Sequence, residues 1–207
     1  MTKQLTSALY KLSNFTIAAT VGITASFFPT AALQAETIPS WIYDTGKIPA
    51  RITIAAAKVS ADIIPVGVTP TGNLDTPHNF VQAGWYKYGT KPGQVGSAVI
   101  DGHVDNGASI PGPFKRLDKV RVGDDIAIDA SDGSVLHFTV LSSDVYKTSA
   151  FPSDSIFNDH RAPLLKIITC HGRFIASKKT YDERLVVTAY LRTVTANSSS
   201  TPLATAQ

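Results

Sequence analysis

Apolar positions recur along most of this chain in short β-branched runs, each closed by a cluster of Gly, Pro, Asn, Asp or Ser. Residues 51–55, 63–68, 80–84, 97–101, 125–129, 135–146, 164–170 and 184–191 carry the strand pattern. Turn clusters at 69–73, 90–93, 130–133 and 177–180 separate them. In 135–146, Leu136, Phe138 and Val140 alternate with Val135, His137, Thr139 and Leu141. Both sets carry apolar residues, which predicts a strand covered on both faces. The one helical stretch is 153–158, with Ser153 or Asp154 as N-cap. Eight strands at this spacing predict an all-β fold, a closed or nearly closed antiparallel-rich β-barrel with one or two short helices. Closure also removes exposed strand edges.

The N-terminus breaks this pattern. Residues 12–35 hold no formal charge, and the only charged side chains before them are Lys3 and Lys11. A helix of that length would cross a hydrocarbon core of about 30 Å at about 1.5 Å per residue. Cations on its N-terminal side predict residues 1–11 in the cytoplasm and the rest outside the membrane. Two readings share this expectation of export: an uncleaved transmembrane anchor, or a signal peptide with Pro29 ahead of a small-residue site near Ala32 or Ala35. Residues 36–48 read as a linker, 49–194 as one domain, and the uncharged Ser/Thr-rich 195–207 as a disordered tail.

Composition narrows the function classes. The 207 residues are 43% hydrophobic and 17% charged, with a net charge of +3 and no basic block, which argues against nucleic acid as a partner. Acids are mainly Asp rather than Glu, in keeping with a turn-rich β protein. The single cysteine, Cys170, excludes an internal disulfide and any multi-cysteine metal site. No cofactor or metal is expected.

Cys170 ends the apolar run 164–170 and precedes His171-Gly172. A lone cysteine is ordinarily a small buried hydrophobe. At a strand end in an exported protein, an unpaired thiol is instead a candidate nucleophile, and it then needs a base or cation nearby. Among five histidines, His137 is mid-strand and reads as structural, while His78 and His160 lie in polar loops and read as solvated. His171 adjoins Cys170, but neighbours in an extended segment point to opposite faces. His103 follows the strand 97–101 and Gly102, so the two strand ends could bring it to Cys170. Arg184 opens the last strand; if that strand is antiparallel to the cysteine strand, its start lies beside Cys170. Arg173 and Arg192 are its rivals, and Asp101 and Asp105, flanking His103, read as turn caps.

Gly102-His103-Val104-Asp105, Thr169-Cys170-x-Gly172 and an Arg opening the final strand together resemble the sortases, membrane-anchored cysteine transpeptidases of Gram-positive bacteria and their relatives. Pro65-Val66-Gly67-Val68 with Thr71-Gly72, Gly84-Trp85-Tyr86, Pro92-Gly93 and Phe114-x-x-Leu117 with Gly123-Asp124 favour the class F-like branch. The likeness spans about residues 49–192. It implies an eight-stranded sortase-like barrel with Cys170 as nucleophile, His103 as general acid and base, and Arg184 as the group that holds the oxyanion. It further implies protein substrates with a C-terminal sorting signal of the Leu-Pro-x-Thr-Gly type, cleaved between Thr and Gly. The acyl group would pass to an amine on a cell-wall precursor or protein subunit. His171 departs from the Gly or Asp common after the cysteine, and Arg173, Lys178 and Lys179 make the stretch before Arg184 unusually cationic. Two other classes remain: a non-catalytic exported β-barrel binding module, and a zinc hydrolase using His103, Asp105, Cys170 and His171.

Overall fold

The computed structural model describes residues 46–106 and 110–195. The expected span at 12–35, the linker residues 36–45 and the tail beyond 195 lie outside the described residues. Among the described residues, no helix is long and apolar enough to cross a membrane.

Eight strands follow in chain order: β1 (Pro49–Ile54), β2 (Val59–Val66), β3 (Ala83–Tyr86), β4 (Gly96–Gly102), β5 (Asp125–Ala130), β6 (Val135–Lys147), β7 (Pro163–Ile175) and β8 (Thr180–Thr195). They close into a barrel in the order β1-β2-β3-β4-β7-β8-β6-β5. Six neighbouring pairs are antiparallel; β2–β3 and β4–β7 are parallel. The parallel β4–β7 pair matters most, because it sets the C-terminal ends of two distant segments side by side. The crossover between them carries β5, β6 and the short helix α1 (Ser153–Phe157).

Period-two alternation fills the barrel with aliphatic side chains, including Ile52, Ile54, Ala98, Ile100, Ile126, Ile128, Leu165, Ile167, Val187 and Ala189. A second cluster lies on the outer face of three strands. Val99 of β4, Ile168 of β7 and Val186 of β8 are covered by Ile156 of α1, with Tyr86, Tyr146, Phe151 and Phe157 packed around them.

Three sequence expectations are corrected. The third strand begins at Ala83, not at residue 80, since Phe80 and Val81 are exposed loop residues. In β6 only Leu136, Phe138 and Val140 are buried; the other face is half-covered near Val135 and open at Leu141. Helix α1 starts after Pro152 without a side-chain cap; neither Ser153 nor Asp154 serves as one. The last linker residues are also tied to the barrel. Lys47 N–H donates to the Pro92 carbonyl at 2.8 Å, and Lys47 Nζ meets Asp132 at 2.6 Å.

Candidate active site

The outer face of β4, β7 and β8 forms the floor of a groove of about 1260 Å³, which Cys170, His103 and Arg184 all line. Their meeting follows from register. In the parallel β4–β7 ladder Asp101 pairs with Ile168. One step on, the buried Thr169 hydroxyl donates to the Gly102 carbonyl at 2.8 Å and locks the two strand ends together. His103 and Cys170 are the residues that follow. In the antiparallel β7–β8 ladder Cys170 pairs directly with Arg184. Alternation then sends Ile168, Cys170, Arg184 and Val186 to the same outer face.

The histidine is held from two sides. Its Nε2 lies 2.9 Å from the Pro77 carbonyl, and its ring packs 4.4 Å from that of Phe80. A carbonyl only accepts, so Nε2 carries a hydrogen and Nδ1 is the nitrogen left to exchange a proton. Gly112 is also required here. A Cβ at that position would strike the His103 carbonyl, which accepts from Phe114 N–H at 3.1 Å.

Arg184 is fixed by four hydrogen bonds. Nη1 donates to the Tyr181 and Glu183 carbonyls at 3.1 and 2.9 Å and to Thr148 Oγ1 at 3.2 Å, while Nη2 donates to Thr180 Oγ1 at 3.0 Å. Among the described residues, this leaves Nε–H and the second Nη2–H for an incoming acceptor. Its rivals face elsewhere. Arg173 is 81% exposed and lies 4.0 Å from Asp182, and Arg192 pairs with Asp125 at the far end of β8.

Cys170 is half-buried. Burial pushes its thiol above the usual range; Arg184 pulls it down, while Asp101 and Asp105 add to the upward push. A Tyr181 backbone hydrogen bond favours the thiolate. The net shift is upward, with Arg184 the larger of the two influences that favour the thiolate.

The remaining histidines separate cleanly. His171 turns away from the groove and binds Glu183 Oε2 through Nδ1 at 3.0 Å, so it is no second base for Cys170. His137 bonds Asp125 at 3.0 Å on the outside of the barrel. His78 is exposed, and His160 is exposed at the groove edge. The zinc set is not assembled: among the described residues, no three His, Cys, Asp or Glu converge on a metal position.

Asp101 overturns the turn-cap expectation. Asp101 is buried within β4, and Asp105 accepts from the Tyr181 hydroxyl at 2.9 Å and pairs with Lys115 at 3.1 Å. Pro77, Phe80, Thr169 and Tyr181 were not assigned a role from sequence. Of these only Thr169, next to Cys170 in the chain, carried a local signal.

The sequence profile of the Sortase domain matches residues 52–192. No curated protein matches the chain. Among solved structures, sortase A of Listeria monocytogenes aligns with a TM-score of 0.55 at 15% identity, covering 74% of this chain and 92% of that one. The SrtA sortase of Actinomyces oris aligns at 0.54 and 20% identity, covering 76% and 87%. Sortase C-3 of Streptococcus pneumoniae aligns at 0.55 and 16% identity, covering 74% and 67%. These likenesses establish the fold, and the domain match across most of the barrel establishes the family: the chain is a member of the sortases, cysteine transpeptidases.

Proposed function

We propose that Cys170, His103 and Arg184 carry the transpeptidation, acting on a Leu-Pro-x-Thr-Gly-type sorting signal between Thr and Gly. The observation that supports this is the register of three adjacent strands. It sets a thiol directly across from a guanidinium, with a held imidazole at the end of the neighbouring strand, all in one groove. The groove is large enough for an extended peptide, exceeding the roughly 300–1,000 Å³ of small-molecule pockets.

In the acylation step, His103 Nδ1 takes the Cys170 proton, the resulting thiolate attacks the Thr carbonyl carbon and the C=O electron pair moves to oxygen. A free Arg184 N–H donates to that oxyanion, a contribution of about 3 kcal/mol for a well-placed donor. As the C=O re-forms, the C–N bond breaks and His103 gives its Nδ1 proton to the departing glycine amine. The thioester is then attacked by an acceptor amine, whose proton returns to His103 as the thiolate leaves. The acceptor is an amine on a cell-wall precursor or a protein subunit. Residues 12–35 act as the anchor that leaves the barrel outside the membrane, and the motifs around Trp85 and Phe114 favour the class F-like branch.

The test is Cys170→Ala against a Leu-Pro-x-Thr-Gly peptide, followed by HPLC, with mass spectrometry of the trapped acyl-enzyme in the parent. Cleavage should fall to background with an unchanged circular dichroism spectrum. An active Ala variant would end the nucleophile assignment.

A further inference from the structure

Of the two acids beside His103, Asp101 is buried in β4 with Oδ1 unpartnered among the described residues. Asp105 is engaged on two sides. The Tyr181 hydroxyl donates to it, 2.9 Å from Oδ2 and 3.1 Å from Oδ1, and Lys115 Nζ meets Oδ2 at 3.1 Å. Tyr181 and Asp105 are 76 residues apart in the chain. Their bond joins the loop that leaves β4 at His103 to the β7–β8 hairpin that carries Cys170 and Arg184.

Each end of this bond is close to a candidate catalytic group. Asp105 follows His103 by two residues, on a turn whose Val104 carbonyl accepts from Gly112 N–H at 3.0 Å. Tyr181 precedes Arg184 by three, and its carbonyl accepts from Arg184 Nη1 at 3.1 Å. Thr180 Oγ1 beside it accepts from Nη2 at 3.0 Å. Residues 180 and 181 therefore hold the guanidinium with one set of atoms and, through the phenol, the His103 loop with another.

The hairpin end needs such a tie. The β7–β8 register shifts between His171 and Phe174, where Gly172 takes a φ of +80°. Beyond that irregularity Tyr181 pairs with Phe174, and their rings meet edge-on at 5.4 Å. Phe174 is itself exposed, so this ring contact anchors the hairpin end to nothing else. The Asp105 side chain is only 14% exposed, and a hydrogen bond to a carboxylate shielded from water is of the stronger kind. Burial, and after it the Asp105 bond, push the phenol above its usual range, so its O–H remains a donor.

We propose that Tyr181 and Asp105 form a clasp that holds the His103 loop against the β7–β8 hairpin and so fixes the imidazole relative to Cys170 and Arg184. Both are positioning residues, and the proposal rests on the reading of Cys170, His103 and Arg184 as the catalytic set. The clasp acts by geometry. By charge alone the Asp105 carboxylate pushes the Cys170 thiol upward, so its removal would favour the thiolate. Opening the clasp has the opposite effect on rate.

The experiment compares Tyr181→Phe, Asp105→Asn, Asp105→Ala, the Tyr181→Phe/Asp105→Ala double variant and His103→Ala in the full chain. Readouts are kcat and KM for the sorting peptide, with thermal melting by circular dichroism as the check on folding. Tyr181→Phe removes one oxygen and keeps the ring against Phe174. It should lower kcat about tenfold with KM changed less than about twofold, because misplaced reacting groups lose rate before they lose binding. Asp105→Ala should match it. The double variant should also fall about tenfold and not a hundredfold, since either change alone opens the clasp. Asp105→Asn keeps an oxygen to accept from the phenol and should recover kcat to within about threefold. The proposal is overturned if Tyr181→Phe keeps full kcat while His103→Ala is inactive, or if the two single losses multiply in the double variant. It is equally overturned if KM rises with kcat unchanged, or if Asp105→Asn falls as far as Asp105→Ala. Should Asp105→Ala fail to fold, Tyr181→Phe and Asp105→Asn carry the same test. A fully active His103→Ala would instead remove the catalytic set on which the proposal stands, and the proposal with it.

Discussion

Strands β4, β7 and β8 turn two faces of opposite chemistry to their surroundings. Toward the barrel axis they set Ala98, Ile100, Leu165, Ile167, Leu185 and Val187, all aliphatic and fully or nearly fully buried. On the other face the same strands set Val99, Asp101, Ile168, Cys170, Arg184 and Val186, covered in part by aromatic residues and α1. Of the buried polar side chains, Ser97, Asp101 and Lys166 also belong to this outer face. The inner face is aliphatic apart from Thr169, whose hydroxyl finds the Gly102 carbonyl, since an unpartnered polar group there would lose water for nothing. The outer face is flanked by segments that supply partners such as Thr148 and the Tyr181 carbonyl, so it can hold a thiol, a guanidinium and a carboxyl together. The interior is apolar packing, and the outer wall, built from the same backbone, carries the candidate reactive groups.

That contrast is most exposed to failure in the pH dependence of stability. The folded-state value for Asp101 lies at about 7, above the ordinary carboxylate 3.8. The stabilising contribution of its neutral form is complete below about pH 4 and is lost as the pH rises to about 7. Its size is up to about 4 kcal/mol at about 1.4 kcal/mol per pH unit. Urea unfolding of the parent and of Asp101→Asn should agree near pH 4, and the Asn variant should be the more stable of the two at pH 8. Equal stability at both pH values would mean that the outer face buries its acid without penalty.

The inner face is sharpened by Leu165→Ala, which should lower unfolding free energy by about 3 kcal/mol while leaving kcat/KM of the folded enzyme within about twofold. A larger loss of activity than of stability would show that the interior is not a passive support. For the outer face, Arg184→Lys keeps a charge but loses the planar fork of donors. Its kcat/KM should drop a hundredfold or more, about 2.7 kcal/mol, with little change in melting temperature. Arg173→Lys should be silent in the same assay, and the reverse result would move the oxyanion role to Arg173.

How much of this could be read beforehand depends on the range of the interaction. β4 was legible because Ser97-Ala98-Val99-Ile100 is an unbroken small and apolar run, and every residue of the strand is buried. Phe80-Val81 has the same apolar look but belongs to a loop, since Phe80 packs on His103 and not on the core. The nearness of Arg184 to Cys170 followed from one assumption, that the last two strands form a hairpin, and the ladder bears that geometry out. His103 beside Cys170 needed more, because a parallel pairing of strands more than sixty residues apart leaves no local mark. Asp101 was misread outright: an Asp before Gly has the form of a turn residue, and only the close pairing with Gly84 of β3 shows it buried inside the sheet.

The sequence by itself determined the strand number, the barrel class and the family, and it offered Cys170, His103 and Arg184 as candidates. These depend on side-chain chemistry and on period-two patterning, which are properties of neighbours in the chain. Tertiary structure alone decided which face of the barrel wall carries the site, which nitrogen of His103 is free, that His171 turns away, and that Asp101 is buried with an oxygen unpaired. Each of those depends on which distant backbone segments exclude water from a given atom, and exclusion of water is a property of the folded packing and not of the local sequence.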